Sequence, residues 1–381
     1  MTGKNNSRIR VVGVSLLILV VGIALNPTQV AYTSLYITPT RLPPVNPTAI
    51  GSPIILDTPL ETPMPSSAII SPSNVAQITE VAQIKSDEHA RRGIFRFVFS
   101  QDGNWFVGLG DTVQVWKMPD LVLAHTLPLR LLSSESVAVS PDGRIIAIGN
   151  YEQPGWVELW DITSEQRLRQ HQGGEHVRSV AFNGTGTLLL AGRQYGGTVW
   201  DVASGDLLAE FPYPYCDGAT FHPYRDEIAV STFSSEVDIL QPYTGAVIRH
   251  LAIPDSASTI PPCAISSLSY SPDGTMLAAG MFWEHSIALW DDDEYVGELS
   301  HKEGGSIWQM AWSPDGRLLA VVEPNAGTEG VQLVFWDIPE RRVVHIIDQY
   351  AGTVSFSPDG SLLVISGIHN QETVLRVFSI Q

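Results

Sequence analysis

Met310-Ala311-Trp312-Ser313-Pro314-Asp315-Gly316 joins a short apolar strand to a tight turn. The same phrase occurs as Phe97-Val98-Phe99-Ser100-Gln101-Asp102-Gly103, as Val137-Ala138-Val139-Ser140-Pro141-Asp142-Gly143 and as Val180-Ala181-Phe182-Asn183-Gly184-Thr185-Gly186. It returns as Leu268-Ser269-Tyr270-Ser271-Pro272-Asp273-Gly274 and Val354-Ser355-Phe356-Ser357-Pro358-Asp359-Gly360. A degenerate copy, Ala219-Thr220-Phe221-His222-Pro223-Tyr224-Arg225, fills the one large gap. The seven turns end at positions 103, 143, 186, 225, 274, 316 and 360, with 39 to 49 residues between neighbours. Pro presets φ for such a turn, Asp favours it, and Gly takes the left-handed position before the next strand. These aspartates are turn-formers, not catalytic acids.

The repeat extends outward from each turn. A second apolar strand follows, as in Arg144–Gly149 and Leu318–Val322. A third ends on a bulky residue: Trp116, Trp160-Asp161, Trp200-Asp201, Leu240, Trp290-Asp291, Trp336-Asp337 and Phe378. A fourth stretch, such as Asp206–Phe211 or Arg342–Ile347, leads to the next copy. Self-similarity at this period marks a repeat architecture whose units stack to bury a shared core.

Four short strands per repeat of about 40–45 residues, with a Trp-Asp end, resemble the WD40 family of β-propellers. The resemblance covers residues 76–381 and implies an all-β, seven-bladed propeller of four-stranded antiparallel blades. The last repeat stops after its third strand, while Gln77–Ile84 is an apolar stretch of the fourth-strand type with no repeat of its own. Placed in the last blade, it closes the ring and removes open sheet edges. WD40 blades often carry a Gly-His before the first strand and an Asp in the turn before the Trp strand. His125, His171 and His301 are candidates for the first feature and Asp111 for the second. The other turns lack the Asp, so packing more than a polar network is expected to hold the blades.

Upstream of the repeats, Lys4, Arg8 and Arg10 precede an uncharged apolar run over 11–25. Residues 1–10 read as a short basic cytoplasmic tail, and 11–25 as a signal-anchor or signal-peptide segment. No good small-x-small cleavage site follows, because Ala24 runs into Leu25-Asn26-Pro27 and Ala31 has Gln29 two residues before it. This favours an anchor, with the repeats outside the cell membrane. No Cys near the end of the run is present to carry a lipid. Residues 26–75 hold ten prolines among Ser and Thr and read as a disordered, extended spacer. At about 3.1 Å per residue its reach is at most on the order of 150 Å.

The net charge is −18, and the first 75 residues contribute +2, which leaves −20 on the rest. So acidic a domain repels phosphate backbones and makes nucleic-acid binding unexpected. Motifs for a nucleophile elbow, a phosphate-cradling loop, a zinc-protease helix or a sialidase turn are missing from the sequence. Neither a cofactor nor a metal is expected. The acidic run Asp291–Glu294 lacks the fitted loop a calcium ion needs and reads as a solvated turn. Cys216 and Cys263 fall before the first strands of the fourth and fifth repeats. A disulfide between them is permitted outside the cytoplasm. Cys216 also occupies a position that is Val or Ile elsewhere, which suits a buried small hydrophobe.

In a propeller, the loops joining fourth to first strands and second to third strands gather on one face. The residues expected to ring its mouth are Phe95, Glu135, Arg178, Asp217, Ser266, Trp308 and Gly352. The neighbouring loops add Tyr151, Trp156, Tyr195, Phe282, Trp283 and His285. In similar WD40 domains this ring commonly contacts the partner, and exposed aromatics with a few charges are typical hot-spot material. The expected function is a non-catalytic, monomeric platform that binds a protein, or an envelope glycan, outside the membrane. The alternative is a lactonase- or quinoprotein-like enzyme built around the central channel. A sensor signalling through the tail 1–10 is a third reading.

Overall fold

The computed structural model describes residues 54–56, 68–85, 96–110, 112–127, 134–151, 154–174, 176–193, 195–213, 218–232, 236–254, 265–282, 286–300, 306–325, 330–348, 352–369 and 372–380. All belong to one compact unit that begins at Ser52. The expectations for 1–10, 11–25 and most of 26–75 lie outside these residues. Among the described residues, no helix is long and apolar enough to cross a membrane.

The described chain forms seven antiparallel blades. Blade 3 is representative. Val177–Phe182, Leu188–Arg193, Gly196–Asp201 and Leu207–Phe211 lie side by side from the innermost strand outward. The other inner strands are Arg96–Phe99, Ser134–Val139, Ala219–Phe221, Ile265–Tyr270, Gln309–Trp312 and Val354–Phe356. The expected closure is present. Ile78–Lys85 pairs antiparallel with Glu372–Ile380, with Ile78 opposite Ile380, and supplies the outer strand that blade 7 lacks.

The turn chemistry works as its residues dictate. Ser100, Ser140, Ser271, Ser313 and Ser357 each donate a hydroxyl to the Asp two residues on, at 2.5–2.6 Å. The same hydroxyls accept the N–H of the residue that opens the second strand, at 2.8–2.9 Å. The six turn glycines have φ between 68° and 75°, a region open to glycine and strained for side chains. In blade 3, Asn183 Oδ1 replaces the serine and accepts from Leu188 N at 2.9 Å. The degenerate blade 4 turn uses His222. Its Nδ1 accepts from Tyr224 N and Arg225 N, while Nε2 donates to Gly274 O of blade 5 at 3.0 Å.

That arrangement needs a neutral imidazole, because protonation would remove the acceptor. Burial, followed by the nearby Arg225 charge, lowers the His222 pKa. Burial also lowers His171 and His345. Between the folded value and the ordinary value near 6.5, the unfolded chain binds more protons. Stability from these groups is therefore complete above about pH 6.5 and declines as pH falls below it. A second loss is expected through the carboxylate range. Hydrogen bonds from Ser164 and Ser204 hold Asp161 and Asp201 low, and the Ser271 hydroxyl holds Asp273 low. Thermal midpoints measured from pH 8 to pH 3 should fall in these two stages. A flat profile from pH 7.5 to 5 would contradict the histidine assignment.

The core is a series of wedges between blades rather than one centre. Ala278, Ile287 and Leu289 of blade 5 pack with Trp312, Leu319 and Val321 of blade 6. The wedge between blades 6 and 7 also takes in Ile70 and Val75, which are buried against Phe335, Phe356 and Phe378. The folded domain thus starts earlier than the spacer boundary at 75. Ile70 N donates to Gly360 O at 2.9 Å, so this stretch crosses the turn of blade 7 before the closing strand begins. Ile54–Leu56 also leaves the spacer, as a fifth strand parallel to Ile78–Lys85. Prolines exclude regular structure only locally, and both segments are apolar runs between them.

Polar straps reinforce the outer rim. His125 of blade 1 meets Glu165 of blade 2 at 2.9 Å. Arg169 of blade 2 donates to the Ser204 carbonyl of blade 3 at 2.6 Å, and Arg341 of blade 6 to the Val296 carbonyl of blade 5 at 2.6 Å. The acidic run is a surface turn as expected, with Asp291, Asp292 and Glu294 exposed, and two of its acids also reach the neighbouring blade. Asp292 and Asp293 have φ of 41° and 73°. Asp292 Oδ1 lies 3.0 Å from Arg225 Nη2, and Asp293 Oδ2 lies 2.7 Å from Arg249 Nε, both on blade 4. Arg249 also holds Glu227 through two bonds of 3.0 and 2.7 Å.

Candidate functional site

The face opposite the Ser-Pro-Asp-Gly turns carries the connections from outer to inner strands and from second to third strands. Between blades 2 and 3 these connections meet. Tyr151 follows Ile145–Asn150, and His176 precedes Val177–Phe182. Their rings stack with centroids 4.1 Å apart at 23°, and His176 Nδ1 donates to the Tyr151 carbonyl. The Arg178 guanidinium lies 5.7 Å from the Tyr151 ring centroid, within cation–π range.

Val177 is the register partner of Arg193, so this stack is continuous with the rim of blade 3. Arg193 Nη2 donates to Glu210 Oε1 at 2.6 Å. The Arg193 side chain is 14% exposed and that of Glu210 is 58% exposed. With Gly174, Tyr195, Phe211 and Pro212 the pair lines a cleft of about 480 Å³. A Cβ on Gly197 would fall 2.2 Å from the Phe211 ring. Glycine is therefore required for the hairpin to lie flat on Phe211, which seats Tyr195 at the rim with 49% of it exposed. The result is an apolar floor, an aromatic wall and a guanidinium. The Glu210 end of this ion pair is open to solvent, while Arg193 is largely buried beneath it.

A second aromatic group sits three blades away. Trp308, 46% exposed, precedes the inner strand of blade 6, and exposed Phe282 follows Met276–Met281 of blade 5. The bond from Ile307 N to Met281 O ties the two connections together at 3.3 Å.

The remaining residues expected at the mouth divide into two groups. The Ser266 hydroxyl lies within hydrogen-bond reach of Gly280 O at 3.1 Å and of Ile307 O, and so links blades 5 and 6. Trp156 packs on the wedge formed by Val107, Val113, Ile146 and Trp160. Gly352, with φ of 119°, sits hard against Ser366. Phe95, Asp217, Trp283, His285, Cys216 and Cys263 lie outside the described residues, as do the His301 and Asp111 positions and the Glu135 side chain. Sequence reading missed His176, Arg193 and Glu210. One signal was available: Arg193 places a charge at the end of a second strand, where blades 1, 4 and 5 end on Leu109, Ser231 and Met281.

The inner strands bear on catalysis. Among the described residues of these seven strands, the only carboxylate is Glu135, and there is no His or Cys. Among the described residues, no three His, Cys, Asp or Glu side chains converge as a metal site.

Comparison with known families agrees with this architecture. The model described as WD domain, G-beta repeat, matches residues 162–201 and 256–291, which fall in blades 2–3 and 5. The model described as Eukaryotic translation initiation factor eIF2A matches residues 291–381, in blades 5 to 7. A search of curated proteins returns no match. Seven blades of this construction, with WD-repeat matches over residues 162–201 and 256–291, support a likeness to the WD40-repeat β-propellers.

Proposed function

We propose that this propeller is a non-catalytic protein-binding platform whose docking face is the loop-rich side at blades 2 and 3. One observation carries the reading: the Tyr151–His176–Arg178 stack and the Arg193–Tyr195 cleft share one rim, linked through the Val177–Arg193 register pair. Aromatic and Arg side chains are the usual anchors of protein interfaces. WD40 propellers commonly serve as interaction scaffolds, though a fold by itself does not specify a function. The channel enzyme is the weaker reading, since converging catalytic groups are not supplied by the inner strands. The likeness to an initiation factor falls on blades 5 to 7. A charge of −20 on the propeller side argues against RNA as its ligand. In this proposal the run 11–25 holds the propeller on the outer side of the cell membrane.

The test is crosslinking and capture from intact cells with the full-length chain. Tyr151→Ala with Arg178→Ala, and separately Arg193→Ala with Tyr195→Ala, should each cut partner recovery at least tenfold with the thermal midpoint unchanged. Recovery that survives both pairs would assign binding to another face. Loss of recovery together with a lowered midpoint would make these residues structural.

A further inference from the structure

Blade 4 carries a tyrosine in both of its turns on the Ser-Pro-Asp-Gly face. Tyr224 stands where five other turns have an aspartate, and His222 takes over the N–H groups of that turn. Tyr243 stands in the turn between third and fourth strands, where blades 2 and 3 have Thr163 and Ala203. Neither ring is folded into the core. Tyr224 is 74% exposed, the highest value for a large apolar side chain among the described residues, and Tyr243 is 41% exposed. The apolar surface continues into the outer strand of the same blade through exposed Val247 and Ile248.

The two tyrosines share an acidic setting. The Tyr243 hydroxyl approaches Asp226 Oδ2 at 3.4 Å, and Asp226 lies two residues beyond Tyr224. Burial and then the Asp226 carboxylate raise the Tyr243 pKa, and Asp201 of blade 3 acts in the same direction. The neighbouring guanidiniums are engaged elsewhere. Arg225 meets Asp292 at 3.0 Å, and Arg169 donates to the carbonyls of Ala203 and Ser204 at 3.0 and 2.6 Å. The same face also exposes Asp102, Asp142, Asp273, Asp315 and Asp359. Such a surface attracts cations and repels nucleic acid and anionic membranes.

We propose that the turns of blade 4 form a second docking surface, on the face opposite the rim of blades 2 and 3, for a basic segment of a partner protein. Its guanidinium or ammonium groups lie over the Tyr224 and Tyr243 rings, where cation–π attraction holds them, and pair with Asp226. The apolar stems of the same side chains cover Val247 and Ile248. Charge complementarity selects this occupant. Asp201 and Asp226 would repel an acidic segment, and an uncharged one would draw no attraction from them.

The experiment follows, by anisotropy, a fluorescein-labelled peptide of alternating arginine and glycine added to the full-length chain. The deciding variant carries Tyr224→Asp and Tyr243→Thr, the residues that other blades place there. It removes both rings and makes the face more acidic, so an aromatic site and a diffuse acidic field give opposite results. Affinity is expected to fall roughly tenfold, the size of a hot-spot loss, with the thermal midpoint unchanged. Affinity that holds or rises would overturn the proposal. Arg193→Ala with Tyr195→Ala, on the opposite face, should leave peptide binding as it was, so the two docking faces stand or fall separately. Peptide binding lost in that variant would put the peptide on the other face and overturn the proposal as well. Should the tyrosine variant fail to fold, hydrogen exchange on the unaltered chain decides instead. The peptide should then raise protection over residues 222–227 and 241–248, and unchanged protection there would refute the site.

Discussion

A chain that starts at Asp87 is expected to lose its cooperative thermal transition, whereas one that starts at Ser67 should keep it. The longer truncation removes the outer strand of blade 7 together with the stretch that crosses its turn. Four buried apolar side chains go with them: Ile70, Val75, Ala82 and Ile84. Removing one large buried aliphatic group costs roughly 2–5 kcal/mol. Three such groups together approach the whole stability of an ordinary domain, about 5–15 kcal/mol. The cut also frees the edge of Glu372–Ile380, which pairs with Ile78–Lys85 over most of its length. Circular dichroism melts of the two truncations are the measurement. A single sharp transition at similar temperature in the chain starting at Asp87 would mean that six and three-quarter blades suffice.

Arg249→Ala should produce the next largest loss. Its guanidinium meets Glu227 on its own blade and Asp293 on the next. Glu227 is 14% exposed and Arg249 31%. Burial would raise the Glu227 carboxyl, but Arg249 and then Arg225 outweigh it and hold it low. Removing one partner of a buried pair costs about 3–5 kcal/mol because the other charge is left uncompensated. Solvent reaches part of this set, and Arg225 remains 3.9 Å from Glu227, so about 2 kcal/mol is expected. Urea denaturation would measure it. Arg249→Lys should recover only part, since an ammonium cannot hold the two Glu227 oxygens and reach Asp293 together. A change under about 0.5 kcal/mol would reduce the set to ordinary surface pairs.

The fold was legible because its instructions are local. Ser313, Asp315 and Gly316 contact one another within one turn, so seven copies of that turn gave blade number and strand order. Closure was legible from a strand without a repeat around it. The straps were not, because their partners are far apart in sequence: Asp292 lies 67 residues from Arg225. An acidic run looks the same whether it meets water or a guanidinium on the next blade. The candidate site was half legible for a related reason. Tyr151, Arg178 and Tyr195 could be assigned to one face from the repeat. The stacking of His176 on Tyr151 and the pairing of Arg193 with Glu210 depend on how connections of unequal length come together. Trp156 followed the same face rule and turned inward, because an aromatic ring beside an apolar wedge is more stable in it than in water.

Closure by the two ends also sets a waiting time. Thr79 donates to the Ser379 carbonyl, 300 residues further on. During synthesis at about 5–20 residues per second, roughly 15–60 s separate the appearance of these partners. Blades 1 to 6 can form in order as they are made, each from contacts within a few tens of residues. The ring itself is a single late event that no earlier portion of the chain can complete, and the slow, long-range step of folding is confined to one seam.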